Sequence, residues 1–357
     1  MQLSIQTENQ PAISHTLTTQ PEEGRKAVTF SSSAVPSIAE IQQPVRADLD
    51  AFRTFFRDAM RTRVRLLDLV IRYVLRRKGK QLRPLLVLLS ARATGSVTET
   101  TYRGAALVEL LHTATLVHDD VVDDSERRRG QWSVNVLWKN KVGVLLGDYL
   151  LSRGLLLALD AKDYDLLHTV SDAVRRMSEG ELLQLEKARR LDIDEDTYFR
   201  IISDKTASLL SACTTCGAVS VTEDADLIDR MRRFGEQLGL AFQIRDDLFD
   251  FGVADVGKPL GIDLKEKKMT LPLIHALGKA SAGERRRIMR IVRKSRKTDQ
   301  DVRRVADWVQ QQGGLEYARD RMFGFAREAL ALLEPLPDSP ARASLQKLVA
   351  FTVLRSH

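Results

Sequence analysis

From about Ile38 to the C-terminus, apolar residues return every three or four positions. Leu66, Leu69, Val70, Tyr73 and Val74 form one such series, and Leu107, Leu110, Leu111, Ala114 and Val117 form another. That spacing puts each series on one face of a helix, and runs with strand-like alternation are essentially absent. The series are interrupted by short polar or glycine-bearing stretches: RRKGKQ, TGSVTET, DSERRRG, DAKDYD, RRLDIDED, GVADVGKPLG, GKASAG, QQGG and EPLPDSP. These breaks leave roughly ten helices or more. The pattern predicts one all-α domain over residues 38–357, with stacked helices and the most apolar ones in the middle. No internal repeat of solenoid period is present. The first 37 residues, rich in Gln, Thr, Ser, Pro and Glu, have no sustained period and are expected to be a disordered extension that holds no site.

Composition narrows the class. A chain of 357 residues, 43% hydrophobic and 29% charged, can bury a substantial core. No uninterrupted apolar run approaches the roughly 20 residues needed to cross a bilayer, because Arg153 breaks LLSRGLLLAL. The start MQLSIQTENQ lacks the apolar centre of a signal peptide, so the cytoplasm is the expected compartment. Cys213 and Cys216 form a CxxC inside SLLSACTTCGAVS, with no second CxxC or nearby His to complete a zinc site, and read as packing thiols. The net charge of +7 would suit nucleic acid, a membrane surface or a polyanionic small molecule. The densest basic run, ERRRIMRIVRKSRK, keeps Ile288, Ile291 and Val292 at helical spacing and reads as an amphipathic helix with a solvated basic face. With no aromatic interleaving or recognition module beside it, no nucleic-acid partner is expected.

Two acidic clusters share the pattern DDxxD. The first, in HDDVVDDSERRRG, holds Asp119, Asp120 and Asp123, and the second, in IRDDLFD, holds Asp246, Asp247 and Asp250. Positions i and i+4 share a helix face, so Asp119 projects with Asp123 and Asp246 with Asp250. Each cluster precedes a loop and so falls near a helix C-terminal end, where carboxylates oppose the helix dipole. Two of them about 6 Å apart repel by roughly 3 kcal/mol at an effective dielectric of about 20. Stability alone does not call for this, and both clusters follow apolar segments, LLHTATLV and LGLAFQI, where unpaired carboxylates are costly without cations. Magnesium, a hard cation that shares carboxylates with substrate phosphates, suits them. A pair of solvated acidic helix ends is the plainer alternative.

Basic groups answer the acids from short connecting segments: Lys80 and Arg83 in GKQLRP, the arginines after the first cluster, Lys205 with Thr206 in ISDKTASLL, and Lys258 and Lys268 in GKPLGIDLKEKKMTLP. Pro84 opens a new apolar helix, so Lys80 and Arg83 stand near a helix start, where anions are favoured. Together the groups describe a site with metals for one diphosphate and direct cationic contacts for another.

With these motifs in order, the sequence resembles the trans-isoprenyl diphosphate (polyprenyl) synthases over about residues 45–357. The matching segments include GKQLRP, LLHTATLVHDDVVDDSERRRG, VLLGDYLLSR, DKTASLL, GLAFQIRDDLFD, GKPLGIDLKEKKMTLPLI, GGLEYAR and LPDSPARASL. The resemblance implies the all-α isoprenoid synthase fold, with helices around a deep central cavity, in a homodimer. It implies that Asp119, Asp123 and Asp246 bind magnesium directly, three ions per site, with Asp120, Asp247 and Asp250 in support. Lys80, Arg83, His112 and Arg129 resemble the pocket for isopentenyl diphosphate. Arg128, Lys205 and Lys258, with Lys268 nearby, resemble the contacts to the allylic diphosphate, and Thr206 and Gln243 match positions beside the developing carbocation. Asp124 and Arg127 sit at variable positions and receive no role.

The implied reaction needs no nucleophilic triad, because a metal-bound diphosphate is itself the leaving group. Each round adds five carbons to an allylic diphosphate such as farnesyl diphosphate, and the cation must be kept from water, which suits acidic clusters that cap apolar helices. Ala114 and Thr115 lie five and four residues before Asp119, about 6–7.5 Å deeper in the helix. Both are small where the family's short-chain members carry aromatic residues, which implies a long product. Octaprenyl is the expected length, for a quinone side chain, with transient contact between the enzyme and a membrane surface when so apolar a product leaves. A geranylgeranyl synthase and a non-catalytic subunit of a heteromeric synthase are the alternatives. A terpene cyclase would not need GKQLRP or the second DDxxD, and a His-Asp phosphohydrolase built on His118 leaves Asp246, Asp247 and Asp250 unexplained.

Overall fold

The computed structural model describes residues 35–76, 81–128, 131–252 and 261–355. Of the predicted site residues, Lys80, Arg129 and Lys258 lie outside the described residues, as do the Arg128 side chain and nearly all of the expected N-terminal extension.

Helix follows helix in the order the periodicity requires. α1 (Ile38–Gln42) is started by a reciprocal capping box between Ser37 and Glu40, and a 3-10 turn at Gln43–Val45 leads into α2 (Arg46–Ala59). α3 (Arg65–Leu75) precedes the GKQLRP stretch, whose last three residues open α4 (Leu82–Thr94), and α5 (Glu99–Val122) carries Asp119 and Asp120 of the first acidic cluster, with α6 (Val134–Asp160) following the arginines after it. Next come α7 (Tyr164–Arg190), α8 (Glu195–Ile202) and α9 (Ser208–Val219), the last two joined without a break by a π-helical turn at Ser203–Ala207. α10 (Ala225–Asp250) ends in the second cluster. α11 (Ile262–Lys265), α12 (Leu271–Lys279), α13 (Ala282–Val292), α14 (Asp299–Gln311), α15 (Gly314–Leu333) and α16 (Pro340–Leu354) complete the chain. The only β structure among the described residues is a ladder of two two-residue strands, β1 (Arg127–Arg128) and β2 (Gln131–Trp132), in which Arg127 pairs with Trp132.

The apolar helices α4, α5 and α9 are central, as expected, whereas α6 is not buried to the same extent. α5 packs along α6, α4 and α9, and α10 packs along α15, α9 and α16. α9 can sit between them because SLLSACTTCGAV offers mostly small side chains, nearly all of them buried. Its hydroxyls are satisfied across the interface: Thr214 Oγ1 donates to the Met231 carbonyl at 2.7 Å and Ser211 Oγ to that of Arg232 at 2.8 Å. Cys213 and Cys216 are free and buried here, and burial pushes the Cys213 thiol up to about 12 and that of Cys216 higher still. They are packing groups with no thiolate to offer a metal. α13 buries Ile288, Met289, Ile291 and Val292 and exposes Arg285, Arg286, Arg287 and Arg290, as its pattern predicts.

α6 departs from the simple picture twice. Its backbone leaves helical geometry at Lys139 (φ 70°, ψ 160°), so the apolar stretch after it is a helix of its own. By length and average hydropathy α6 is also the one helix among the described residues long and apolar enough to cross a membrane, although Arg153 interrupts its run. Only 33% of its most apolar window is buried within the chain, and Val144, Leu145, Leu156 and Leu159 face outward.

Candidate active site

Both aspartate clusters fall where the spacing puts them, on the last turns of long helices. In the first, Asp123 is the C-cap of α5 and its amide donates to the Asp119 carbonyl at 2.8 Å. Asp119 and Asp123 are exposed on one side while Asp120 turns inward and is 1% exposed. The main chain around Asp120 is tied down by its carbonyl, which accepts from Asn135 Nδ2 and from the Ser125 amide, each at 3.0 Å. Ser133 Oγ then bridges the carbonyls of Ser125 (2.5 Å) and Glu126 (3.0 Å), and the Arg127 guanidinium stacks on the Trp132 ring at 4.3 Å. The described residues on either side of Arg129 are thus braced against each other.

The second cluster repeats the division. Asp246 and Asp250 are half-buried, and Asp247 is 4% exposed. Burial, and then the charges of Asp263 and Asp246, push the Asp247 carboxyl up to about 7, against the pull of hydrogen bonds from Tyr198 and Gln243. Burial and Asp263 likewise push Asp250 up to about 6, although backbone amides, including that of Asp263 at 3.3 Å, favour its charged form. Crowded carboxylates at raised pKa are groups that a cation would relieve. Among the described residues no three carboxylate, imidazole or thiol groups close around a point as they stand. The donors are nonetheless the hard oxygens magnesium takes, and a diphosphate and water would supply its remaining ligands.

Lys205 and Thr206 occupy neither a loop, as their setting among the basic connecting segments suggests, nor regular helix, but the π-turn between α8 and α9. The turn is gripped from two sides. On α7, Arg176 donates to Asp204 Oδ1 (2.8 Å), Ser203 Oγ (2.9 Å) and Glu236 Oε1 (3.2 Å), and Gly180 lies so close that a Cβ there would sit 2.8 Å from the Lys205 nitrogen. On α10, a Cβ at Gly239 would come within 2.5 Å of Ala207 Cα. Gripped in this way, the turn sends Lys205 toward Glu181 and Gln184 of α7, and sends Thr206 Oγ1 to Gln243 Oε1 at 2.8 Å. Gln243 Nε2 in turn donates to Asp247 Oδ1 at 2.9 Å, and Tyr198 Oη donates to Asp247 Oδ2 at 2.7 Å. Burial holds the Tyr198 phenol well above its ordinary pKa, so it keeps its proton. π-turns of this kind are frequent at functional sites.

The remaining predicted residues fall around these. Arg83 lies in the first turn of α4, behind a left-handed Gln81, and its charge reaches the buried Cys213. His112 is half-buried on α5, and its carbonyl accepts from Thr115 Oγ1 at 2.9 Å. Lys268, in the loop after α11, pairs with Glu266 (2.6 Å) and Asp263 (3.4 Å), which raise its pKa although burial opposes them. Ala114 is buried and Thr115 half-buried. A narrow apolar crevice runs beside them, lined by Leu110 and Thr113 of α5, Ile71, Val74 and Leu75 of α3, and Leu146 and Leu150 of α6, and neither Ala114 nor Thr115 is one of its walls.

Two residues absent from the sequence argument are part of the site. Tyr198 lies seven positions before Lys205, a spacing that could have flagged it. Arg355, at the end of α16, pairs through Nη2 with Asp246 Oδ1 and stacks on Phe242 at 4.3 Å.

Residues 64–309 match the family model of polyprenyl synthetase. The chain belongs to the polyprenyl synthetase family. It is 38% identical to an all-trans-nonaprenyl-diphosphate synthase (geranyl-diphosphate specific) of Rhodobacter capsulatus, over 88% of this chain and 97% of that one. It is 33% identical to the octaprenyl diphosphate synthase of Escherichia coli, over 89% and 99%. A polyprenyl synthase from Caulobacter crescentus, solved in complex with calcium and isoprenyl diphosphate, superposes with a TM-score of 0.82 at 33% identity, covering 91% of this chain and 99% of that one. This polyprenyl synthetase therefore has the all-α isoprenoid synthase fold, and its activity is that of a prenyltransferase with long-chain relatives.

Proposed function

We propose that this polyprenyl synthetase is a magnesium-dependent trans-polyprenyl diphosphate synthase. It would add isopentenyl diphosphate repeatedly, head to tail, to an allylic diphosphate such as farnesyl diphosphate, making an octaprenyl product for a quinone side chain. The observation that carries this reading is the pairing of two aspartate clusters at the ends of apolar helices with a π-turn whose Thr206 is linked through Gln243 to the second cluster.

The side chains divide the work. Asp119, Asp123 and Asp246 would hold the metal, with Asp120, Asp247 and Asp250 behind them, and the metal would neutralise the departing diphosphate. Lys205, with Arg128, Lys258 and Lys268, would orient the allylic diphosphate, and Lys80, Arg83, His112 and Arg129 the isopentenyl diphosphate. Thr206 and Gln243 would turn oxygen toward the allylic cation, and the apolar shafts of α5 and α6 would keep water from it. That the Caulobacter relative was solved with calcium and isoprenyl diphosphate supports a site for a divalent metal and a prenyl diphosphate.

The same reading takes the protein as a homodimer. The outward apolar residues of α6, Val144, Leu145, Leu156 and Leu159, suit a second copy of the chain. Leu145→Glu should give monomers in analytical ultracentrifugation, and an unchanged sedimentation coefficient would rule this face out.

Purified chain with labelled isopentenyl diphosphate, either farnesyl or geranyl diphosphate and magnesium should form polyprenyl diphosphates readable by mass. A geranylgeranyl product would favour the short-chain alternative, no elongation would favour a non-catalytic subunit, and elongation in chelator would refute the metal roles.

A further inference from the structure

Three hydrogen bonds between the π-turn and the second cluster form one string with a fixed direction. Both oxygens of Asp247 receive donors, Tyr198 Oη at 2.7 Å and Gln243 Nε2 at 2.9 Å, which is the pattern of an accepting carboxylate. Gln243 accordingly sets its NH2 group toward an ionised Asp247 and its carbonyl toward Thr206, 2.8 Å away. A carbonyl only accepts, so the Thr206 hydroxyl uses its single proton on Gln243 and has lone pairs left for whatever else approaches it.

We propose that Tyr198 and Asp247 are positioning residues that fix the direction of this string, so that the Thr206 oxygen always meets the allylic cation as an acceptor. The inference rests on the prenyl-transfer reading of the site. A hydroxyl free to rotate would spend part of its time turning its hydrogen toward the developing positive charge. One already committed elsewhere offers oxygen without reorienting when the charge appears. Tyr198 can hold one end of the string because it is itself held: it is 4% exposed and meets Phe199 edge-on, with ring centroids 5.4 Å apart. It acts only through Asp247, Gln243 and Thr206.

That last property is the test. In single-turnover rapid-quench assays of the full chain with farnesyl diphosphate and labelled isopentenyl diphosphate, Tyr198→Phe should slow condensation about tenfold and leave the KM for isopentenyl diphosphate within about twofold, as expected for loss of one orienting hydrogen bond. Thr206→Val should slow it at least as much, and Thr206→Ser should restore the wild-type rate. The double variant Tyr198→Phe, Thr206→Val should be no slower than Thr206→Val alone. Asp247→Asn, whose amide lets Gln243 face either way, should show the same non-additivity with Thr206→Val and serves if Tyr198→Phe does not fold. Multiplied losses in the double variants, or a wild-type rate in Tyr198→Phe, would overturn the proposal while the wild type still elongates. A wild-type chain that does not elongate would remove the reaction itself and the proposal with it.

Discussion

Asp246 already has a cation beside it, and that makes its proposed role measurable. Arg355 pairs with it through Nη2, is stacked over Phe242 at 4.3 Å and Phe249 at 5.6 Å, and is anchored at its carbonyl by Arg245 Nε at 3.2 Å. Burial lowers the Arg355 pKa, the charge of Asp246 works against that, and its buried Nε has no hydrogen-bond partner, so the side chain is held in place mainly by this pair and the stacking. A metal ion that binds Asp246 must displace Arg355 or weaken the pair. Two unit charges about 4 Å apart attract by roughly 4 kcal/mol at an effective dielectric of about 20. The Asp246 side chain is 42% exposed, however, and solvent screening brings the net value of such a pair to about 1 kcal/mol. Arg355→Gln should therefore tighten apparent magnesium binding about fivefold, the equivalent of that energy. Binding would be followed by calorimetry and by melting temperature against magnesium concentration, with inorganic pyrophosphate present. Unchanged or weaker magnesium binding in a variant that melts near the wild type would mean that Arg355 does not compete with the metal, and would count against Asp246 as a direct ligand.

Further outcomes follow from the same geometry. Ala114→Phe, five residues before Asp119, should shorten the product by several isoprene units, and an unchanged product by mass spectrometry would show that this position does not limit the chain. Asp247 and Asp250 have folded-state values raised to about 7 and about 6, so their contribution to stability is present in acid and is lost as pH rises from about 4 through those values. Melting temperature without metal should fall over that range, and Asp247→Asn should flatten the fall; magnesium, which favours the ionised forms, should bind more tightly as pH rises through the same window. Gly239→Ala would drive its Cβ to within 2.5 Å of Ala207 Cα and should destabilise the protein by about 1–3 kcal/mol in urea unfolding while lowering activity through the displaced π-turn.

How legible these features are in the sequence depends on how local their causes are. The helices, their breaks at TGSVTET, DAKDYD and EPLPDSP, and the seating of both DDxxD motifs on final turns follow from periodicity and turn chemistry within a few residues. The inward turn of Asp120 and the outward turn of Asp119 and Asp123 follow from the same helical spacing. The π-turn at Ser203–Ala207 does not, because nothing in SDKTA breaks a helix. The extra residue in that turn is accommodated by contacts from elsewhere, with Arg176 and Gly180 on α7 and Gly239 on α10. Arg355 reaches Asp246 across 109 positions of chain, a separation at which no spacing rule operates. The two-residue strands at Arg127–Arg128 and Gln131–Trp132 are too short to show alternation. The apolar crevice, built from α3, α5 and α6, belongs to packing and not to pattern.

The local and the distant causes meet in the inward aspartates. Spacing alone treats Asp120 and Asp247 as spare members of their clusters, and an isolated buried carboxylate would be a liability in either place. Each is instead part of the fixed frame behind the outward pair. Asp120 does this through its carbonyl, which ties the end of α5 to Asn135 of α6, and Asp247 through its carboxylate, which orders Gln243 and, beyond it, the π-turn that carries Thr206 and Lys205. On the proposed reading, the exposed carboxylates of Asp119 and Asp123 would turn toward a metal and a diphosphate, while Asp246 would first have to release Arg355. This division predicts different failures: loss of Asp119 or Asp123 should weaken metal binding and spare stability, whereas loss of Asp247 should disturb the direction and position of the groups that face the cation.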